Sequence, residues 1–220
     1  SNIGVESIDM VQLTSYLLFS SLISLGLNFL FCLGISGLVY ILQKLIFEKI
    51  VFFSDYFKGM KENLSLSLIF SLFFTIAYLI FKFSFVFSIN NADFDITKSI
   101  GFGFSILLVF TVIIIGLISF TQNCIYKLNF GSLIFNSFKF YLKGLLIYLL
   151  IFAVSFFYLF TILFGSFVID VVFGILLIFL SPISVMIFVL YSNSKFDKFI
   201  NKDNYPELVD IGINRINHKK

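Results

Sequence analysis

Five apolar stretches without an acidic or basic side chain occupy residues 14–42, 64–81, 100–120, 144–164 and 171–191. This feature constrains the fold more than any other. A hydrocarbon core about 30 Å thick is crossed by about 20 helical residues, and 18 or more uncharged apolar residues mark a candidate span. No water is present in that core to satisfy backbone N–H and C=O groups, so each span must satisfy them within a helix. The sequence therefore predicts an all-α, polytopic transmembrane helix bundle of about five spans over residues 1–191, followed by a polar tail over 192–220.

Composition agrees. Only 12% of the 220 residues are charged, against about 25% in a soluble domain. Phenylalanine occurs 34 times, tryptophan is absent, and arginine supplies one basic residue, Arg215. That bias fits an AT-rich coding sequence, and the rings are expected to face lipid or pack, not to form a binding box. Cys32 and Cys124 are too few for a disulfide framework. Residues 1–11 have no basic segment and carry Glu6 and Asp9, unlike a cleavable signal.

The loops give an orientation. Lys44, Lys49, Lys58 and Lys61 follow the first stretch, and Lys127, Lys139 and Lys143 follow the third. Lys195, Lys198, Lys202, Arg215, Lys219 and Lys220 follow the fifth. The other side holds Glu6, Asp9, a 90–99 loop with Asp93, Asp95 and Lys98, and a turn at Asp170. Short basic loops mark the cytoplasmic face, which places the N-terminus outside and the C-terminus inside a cell membrane. The net charge of +3 suits anionic lipid headgroups, not nucleic acid.

Within the first stretch, Gly34 and Gly37 mark either a break, with a helix running on through 43–49, or a close packing contact in one long tilted helix. Lys82 ends an apolar run and is expected to snorkel to the headgroups. Pro182 removes a backbone donor and is expected to kink the last helix, with Ser181 and Ser184 beside it to meet the freed carbonyls.

Two loops share a pattern. Phe53, Phe57, Met60 and Leu64 form an apolar stripe beside Asp55, Lys58 and Glu62. Ile134, Phe138, Tyr141 and Leu145 form another beside Asn136, Lys139 and Lys143. The offset is 81 at all seven positions. Each loop reads as a cytoplasmic amphipathic helix in the headgroup plane. With two spans between the copies, they predict a parallel pseudo-repeat about the membrane normal. The polar residues of these two loops are the candidate partner-docking face.

Chemistry is sparse. The only histidine, His218, lies in the tail, which excludes histidine metal sites and Ser-His-Asp triads. No carboxylate falls inside a span, which argues against a proton-coupled carrier. Gly101-Phe102-Gly103 is too short and apolar to cradle phosphate. No cofactor is expected. The candidate intramembrane polar contact is Asn28, whose amide must find a partner on another helix. Tyr205-Pro206-Glu207 in the tail predicts a short helix starting at Pro206, able to dock on the inner face or a partner.

The run Leu27-Asn28-Phe29-Leu30, then Tyr40 and Lys44, then Phe57-Lys58-Gly59 and Lys61-Glu62-Asn63, resembles the YesL-like family of small bacterial membrane proteins. Phe196-Asp197-Lys198-Phe199-Ile200-Asn201 and Tyr205-Pro206-Glu207 extend the likeness across nearly the whole chain, with the specific motifs confined to its first third and its tail. The family's Gly-Pro break and its tryptophan in or after the first span are missing here, and only Gly34 and Gly37 could serve. Members are often encoded beside carbohydrate ABC transporters and glycoside-degrading enzymes, and the family has no established activity or site residues. The paired short helices, the tail and the absence of catalytic chemistry point to a non-enzymatic membrane accessory protein, with the bilayer and a transporter subunit or further copies of itself as partners; the resemblance adds carbohydrate ABC transport as the context. The alternatives are a small oligomeric transporter or channel lined by Asn28 and serine-bearing faces, and a lipid-organising protein acting through its lysines.

Overall fold

The computed structural model describes residues 10–89, 96–126, 128–155 and 167–209. Among these the chain is helical throughout, with no strand. In order the helices are α1 (Met10–Glu48), α2 (Phe53–Glu62), α3 (Leu64–Ile89), α4 (Ile96–Tyr126), α5 (Phe130–Lys143), α6 (Leu145–Ser155) and α7 (Phe167–Phe196). A π-helical turn (Asp197–Asn201), a short α8 (Lys202–Asn204) and a 3-10 turn (Pro206–Leu208) follow.

Among the described residues, three helices are long and apolar enough to cross a membrane: Thr14–Glu48, Leu64–Ser88 and Ile96–Tyr126. A fourth is obtained if α5 and α6, which meet at 86°, count as one span. The chain is thus read as membrane-spanning. The fourth predicted stretch is described only as far as residue 155, and α7 covers the fifth as one 30-residue helix running through Pro182. Helices outrun the apolar stretches because uncharged polar and terminal charged residues do not stop them. Asp170, expected in a turn, lies in the first turn of α7, and Lys98, expected in a loop, lies in the first turn of α4. The acidic loop residues Asp93 and Asp95, together with Glu6, Asp9, Lys127, Arg215, His218, Lys219 and Lys220, fall outside the described residues.

α1 continues through Gly34 and Gly37 without interruption, so the glycines act as packing positions. A Cβ on Gly37 would sit 2.9 Å from both Tyr56 and Met60 of α2, and one on Gly34 would sit 3.4 Å from the Tyr56 hydroxyl. Omitting the side chain is what lets α2 lie against α1.

The chain divides into two compact units, and α1, α3 and α4 each contribute to both. The first unit comprises Ser1–Cys32 and Ser67–Ile113. Its buried residues include Leu17, Phe70 and Ala77. Along α3, Phe74, Tyr78, Phe81 and Phe85 stack in succession, and Phe102 of α4 lies 5.7 Å from Phe81. The second unit comprises Leu33–Leu66 and Ile114–Lys220. Val39, Ile114, Ile118, Leu133, Tyr148, Phe188 and Phe196 form its core. Leu33 and Ile114, where α1 and α4 enter this unit, are themselves 81 residues apart.

The two short helices end alike. Asn63 caps α2 at φ −106°, ψ 16°, and Gly144 caps α5 at φ −121°, ψ 16°. In each case a long apolar helix starts at the next residue. At its other end α5 is capped by Asn129, whose side chain accepts a hydrogen bond from the Ser132 N–H.

Candidate functional site

In the second unit, uncharged polar side chains gather at helix ends. The gathering begins where α1 gives way to α2. Lys49 turns the chain with a positive φ of 64°, and Asp55 then sits in the first turn of α2. One Asp55 oxygen accepts the Phe52 N–H at 2.8 Å and the other accepts Lys44 Nζ at 2.8 Å. Lys44 and that backbone N–H together hold the Asp55 carboxyl below its usual range. One turn further along, Gly59 lies against Tyr40 so closely that a Cβ would come within 2.4 Å of the tyrosine Cβ.

A chain of amide bonds ties the remaining helices. Gln43 of α1 and Asn193 of α7 pair reciprocally, at 2.9 and 3.0 Å. Asn63 donates to the Gly59 carbonyl and accepts from Asn123 of α4 at 2.8 Å. Ser119 of α4 donates to Ser137 of α5 at 2.8 Å. Tyr126 donates to Asn201 at 2.6 Å, and the Asn201 amide donates to Asp197 at 2.6 Å. The rings of Phe196 and Tyr205 flank Tyr126 at 6.0 and 5.7 Å. Each interhelical bond between such groups contributes about 0.6–2 kcal/mol in a membrane protein. Within the second unit they tie the parts of α1 and α4 that lie there to α2, α5, α7 and the start of the tail.

Gln122 is the exception. It is fully buried, and neither amide atom has a partner among the described residues. Near the same level a cavity of about 230 Å³ opens between α1, α4 and Leu208, lined by Tyr40, Gln43, Lys44, Phe47, Glu48, Cys124 and Ile125. It is smaller than the roughly 300–1,000 Å³ typical of a small-molecule site. Among the described residues, no three His, Cys, Asp or Glu side chains gather as metal ligands would.

The predicted site residues separate in space. Asn28 donates to Thr75 of α3 at 2.9 Å, within the first unit. Asp55 points inward, 7% exposed. Lys58 and Glu62 point outward and lie 3.9 Å apart. Asn136 is half-buried, while Lys139 and Lys143 are exposed. The face drawn from the sequence is therefore split on α2 by Asp55, because Lys44 draws that carboxylate to the α1 side. Lys82, expected at the headgroups, donates to Ser20 at 3.1 Å and lies over the Tyr78 ring at 4.6 Å.

Six amides went unnoticed from sequence alone as a group: Gln43, Asn63, Gln122, Asn123, Asn193 and Asn201. Their signal was positional. Most lie within a few residues of the end of an apolar stretch, all on the side given the basic loops, where they pass for ordinary loop residues. Comparison with protein-family models, curated proteins and solved structures finds no match.

Proposed function

We propose that this chain is a non-enzymatic, multi-pass membrane accessory protein that presents a rigid inner platform to a membrane partner. A carbohydrate ABC importer is the partner class that the YesL-like resemblance implies. The observation that carries the reading is the outward face of α2. Its inward residues are Asp55, Gly59 and Asn63, whereas Phe53 and Phe57 are 79% and 55% exposed. Lys58, Lys61 and Glu62 are exposed beside them. A short helix that leaves two aromatic rings exposed beside charged side chains suits contact with lipid or another protein.

The same arrangement recurs 81 residues later, which supports reading α2 and α5 as amphipathic helices of a parallel pseudo-repeat. Gly59 and Phe140 are both buried, as are the caps Asn63 and Gly144; Phe57 and Phe138, Lys58 and Lys139, and Glu62 and Lys143 are all exposed. The 86° turn from α5 to α6 suits a helix lying in the headgroup plane that feeds a span. On this reading there are about five spans, with the N-terminus outside and the tail in the cytoplasm.

The test is crosslinking from position 57 or 61 in native membranes at endogenous expression, followed by identification of the adduct. A transporter subunit at both positions is expected. Recovery of the free monomer alone would count against an accessory role, and flux of a sugar or ion through reconstituted liposomes would transfer the assignment to the channel alternative.

A further inference from the structure

The two copies of the short helix differ in one respect that matters for charge. In the first, Lys58 is followed one turn later by Glu62, and the pair lies 3.9 Å apart. In the second, the same two positions hold Lys139 and Lys143. Like charges at this spacing destabilise a helix, and no carboxylate comes within 4 Å of either among the described residues. Instead each ammonium rests on a ring: Lys139 Nζ is 4.1 Å from the centre of Phe135, and Lys143 Nζ is 4.2 Å from that of Phe199. Lys198 adds a third cation 5.6 Å from the Phe199 ring. Asp197 beside it is already engaged by the Asn201 amide. The face also exposes apolar surface, with Phe135 59% and Leu142 55% accessible.

We propose that the outward face of α5 and the adjoining π-helical turn form a site for the headgroup of an anionic phospholipid, held by Lys139, Lys143 and Lys198. Three uncompensated ammonium groups attract the phosphate, and the exposed Phe135 and Leu142 meet the glycerol and upper acyl region, which a soluble anion would leave unused. The first copy, whose Lys58 is paired with Glu62, lacks such a site. This assignment goes beyond the accessory role and does not depend on it, because it requires no protein partner.

The experiment uses the full chain, purified in a neutral detergent and titrated with phosphatidylglycerol or chain-matched phosphatidylcholine, with bound lipid counted by native mass spectrometry. Wild type is expected to prefer phosphatidylglycerol. The triple variant Lys139→Gln, Lys143→Gln, Lys198→Gln should weaken that binding at least tenfold, since each surface lysine contributes about fivefold toward an anionic lipid. The control pair Lys58→Gln, Lys61→Gln should change it less than twofold. Thermal unfolding of each variant separates lost binding from lost fold, and exposed lysines should leave the midpoint unchanged. Equal losses in both variants, or no preference between the lipids, would overturn the site. Complete displacement by millimolar inorganic phosphate would overturn the lipid assignment in favour of a soluble phosphate.

Discussion

Asn28 sits in an apolar helix where an unpaired amide has no water to turn to. Thr75 answers it while donating its own hydroxyl to the Ser71 carbonyl, so the threonine oxygen accepts and donates at once. Such bonds average about 0.6 kcal/mol and reach about 1.7. Asn28→Leu and Thr75→Val should each destabilise the protein by about 1 kcal/mol, and the double variant by less than their sum. Reversible unfolding in mixed micelles checks this, with strict additivity showing the contact to be unimportant. Gln122 predicts the opposite sign. A buried amide without a partner carries a desolvation penalty of about 1–3 kcal/mol, so Gln122→Leu should raise the unfolding midpoint. A lowered midpoint would show that the amide is engaged by something in the bilayer-embedded protein. Asp55 predicts a pH effect. Its carboxyl is held below the ordinary value of 3.8, so its contribution is complete above that pH and fades as acid protonates it in the folded state. Wild type should be more stable than Asp55→Asn at pH 6–7, with the gap closing below about 3.8. A gap that persists at low pH would remove the charge from the explanation.

At the level of elements, the close approach of α1 and α2 depends on glycine in a way that substitution can read out. A Cβ on Gly59 would come within 2.4 Å of Tyr40 Cβ, whereas Gly26, on the same long helix α1, has nothing within 4 Å of the corresponding point. Gly59→Ala should therefore cost about 1–3 kcal/mol through overpacking, and Gly26→Ala should gain up to about 1 kcal/mol through helix propensity. Equal effects at the two sites would mean that α2 is free to move away. Much of this level was legible beforehand. The absence of charge over 14–42, 64–81 and 100–120 predicts three long helices because nothing else satisfies the backbone in lipid, and the 81-residue offset locates both short helices. Helix pairing was not legible. Gly34 and Gly37 are compatible with a break or a contact, and only the position of Tyr56 decides between them. Asp55 shares a helical stripe with Lys58 and Glu62 by number, yet Lys44 turns it inward, a contact made across a chain reversal that periodicity does not encode. The amide ties were hidden for a related reason: Asn63 and Asn123, 60 residues apart, reveal a bond only once their helices are placed.

For the whole molecule, the distribution of lysines makes the most direct claim. Lys61, Lys139 and Lys198 are exposed and belong to the three basic segments that the proposed topology puts on the inner face, with Lys98 on the opposite side. The proposed orientation, with the N-terminus outside, rests on that bias, since lysine in short loops resists translocation and carboxylates count for little. Cysteine mapping tests it cleanly once the native Cys32 and Cys124 are replaced, because both are free. Single cysteines at positions 61, 139 and 198 should react with an impermeant maleimide only after the membrane is opened, and one at position 98 should react in intact cells. Labelling of 98 together with 61 in intact cells would contradict any arrangement in which α3 crosses the bilayer between them. Labelling of 61, 139 and 198 from outside, with 98 protected, would preserve the spans and invert the orientation. That outcome would place the α5 lysines against the outer leaflet, so the same four cysteines also decide which leaflet's lipids the proposed headgroup site can reach.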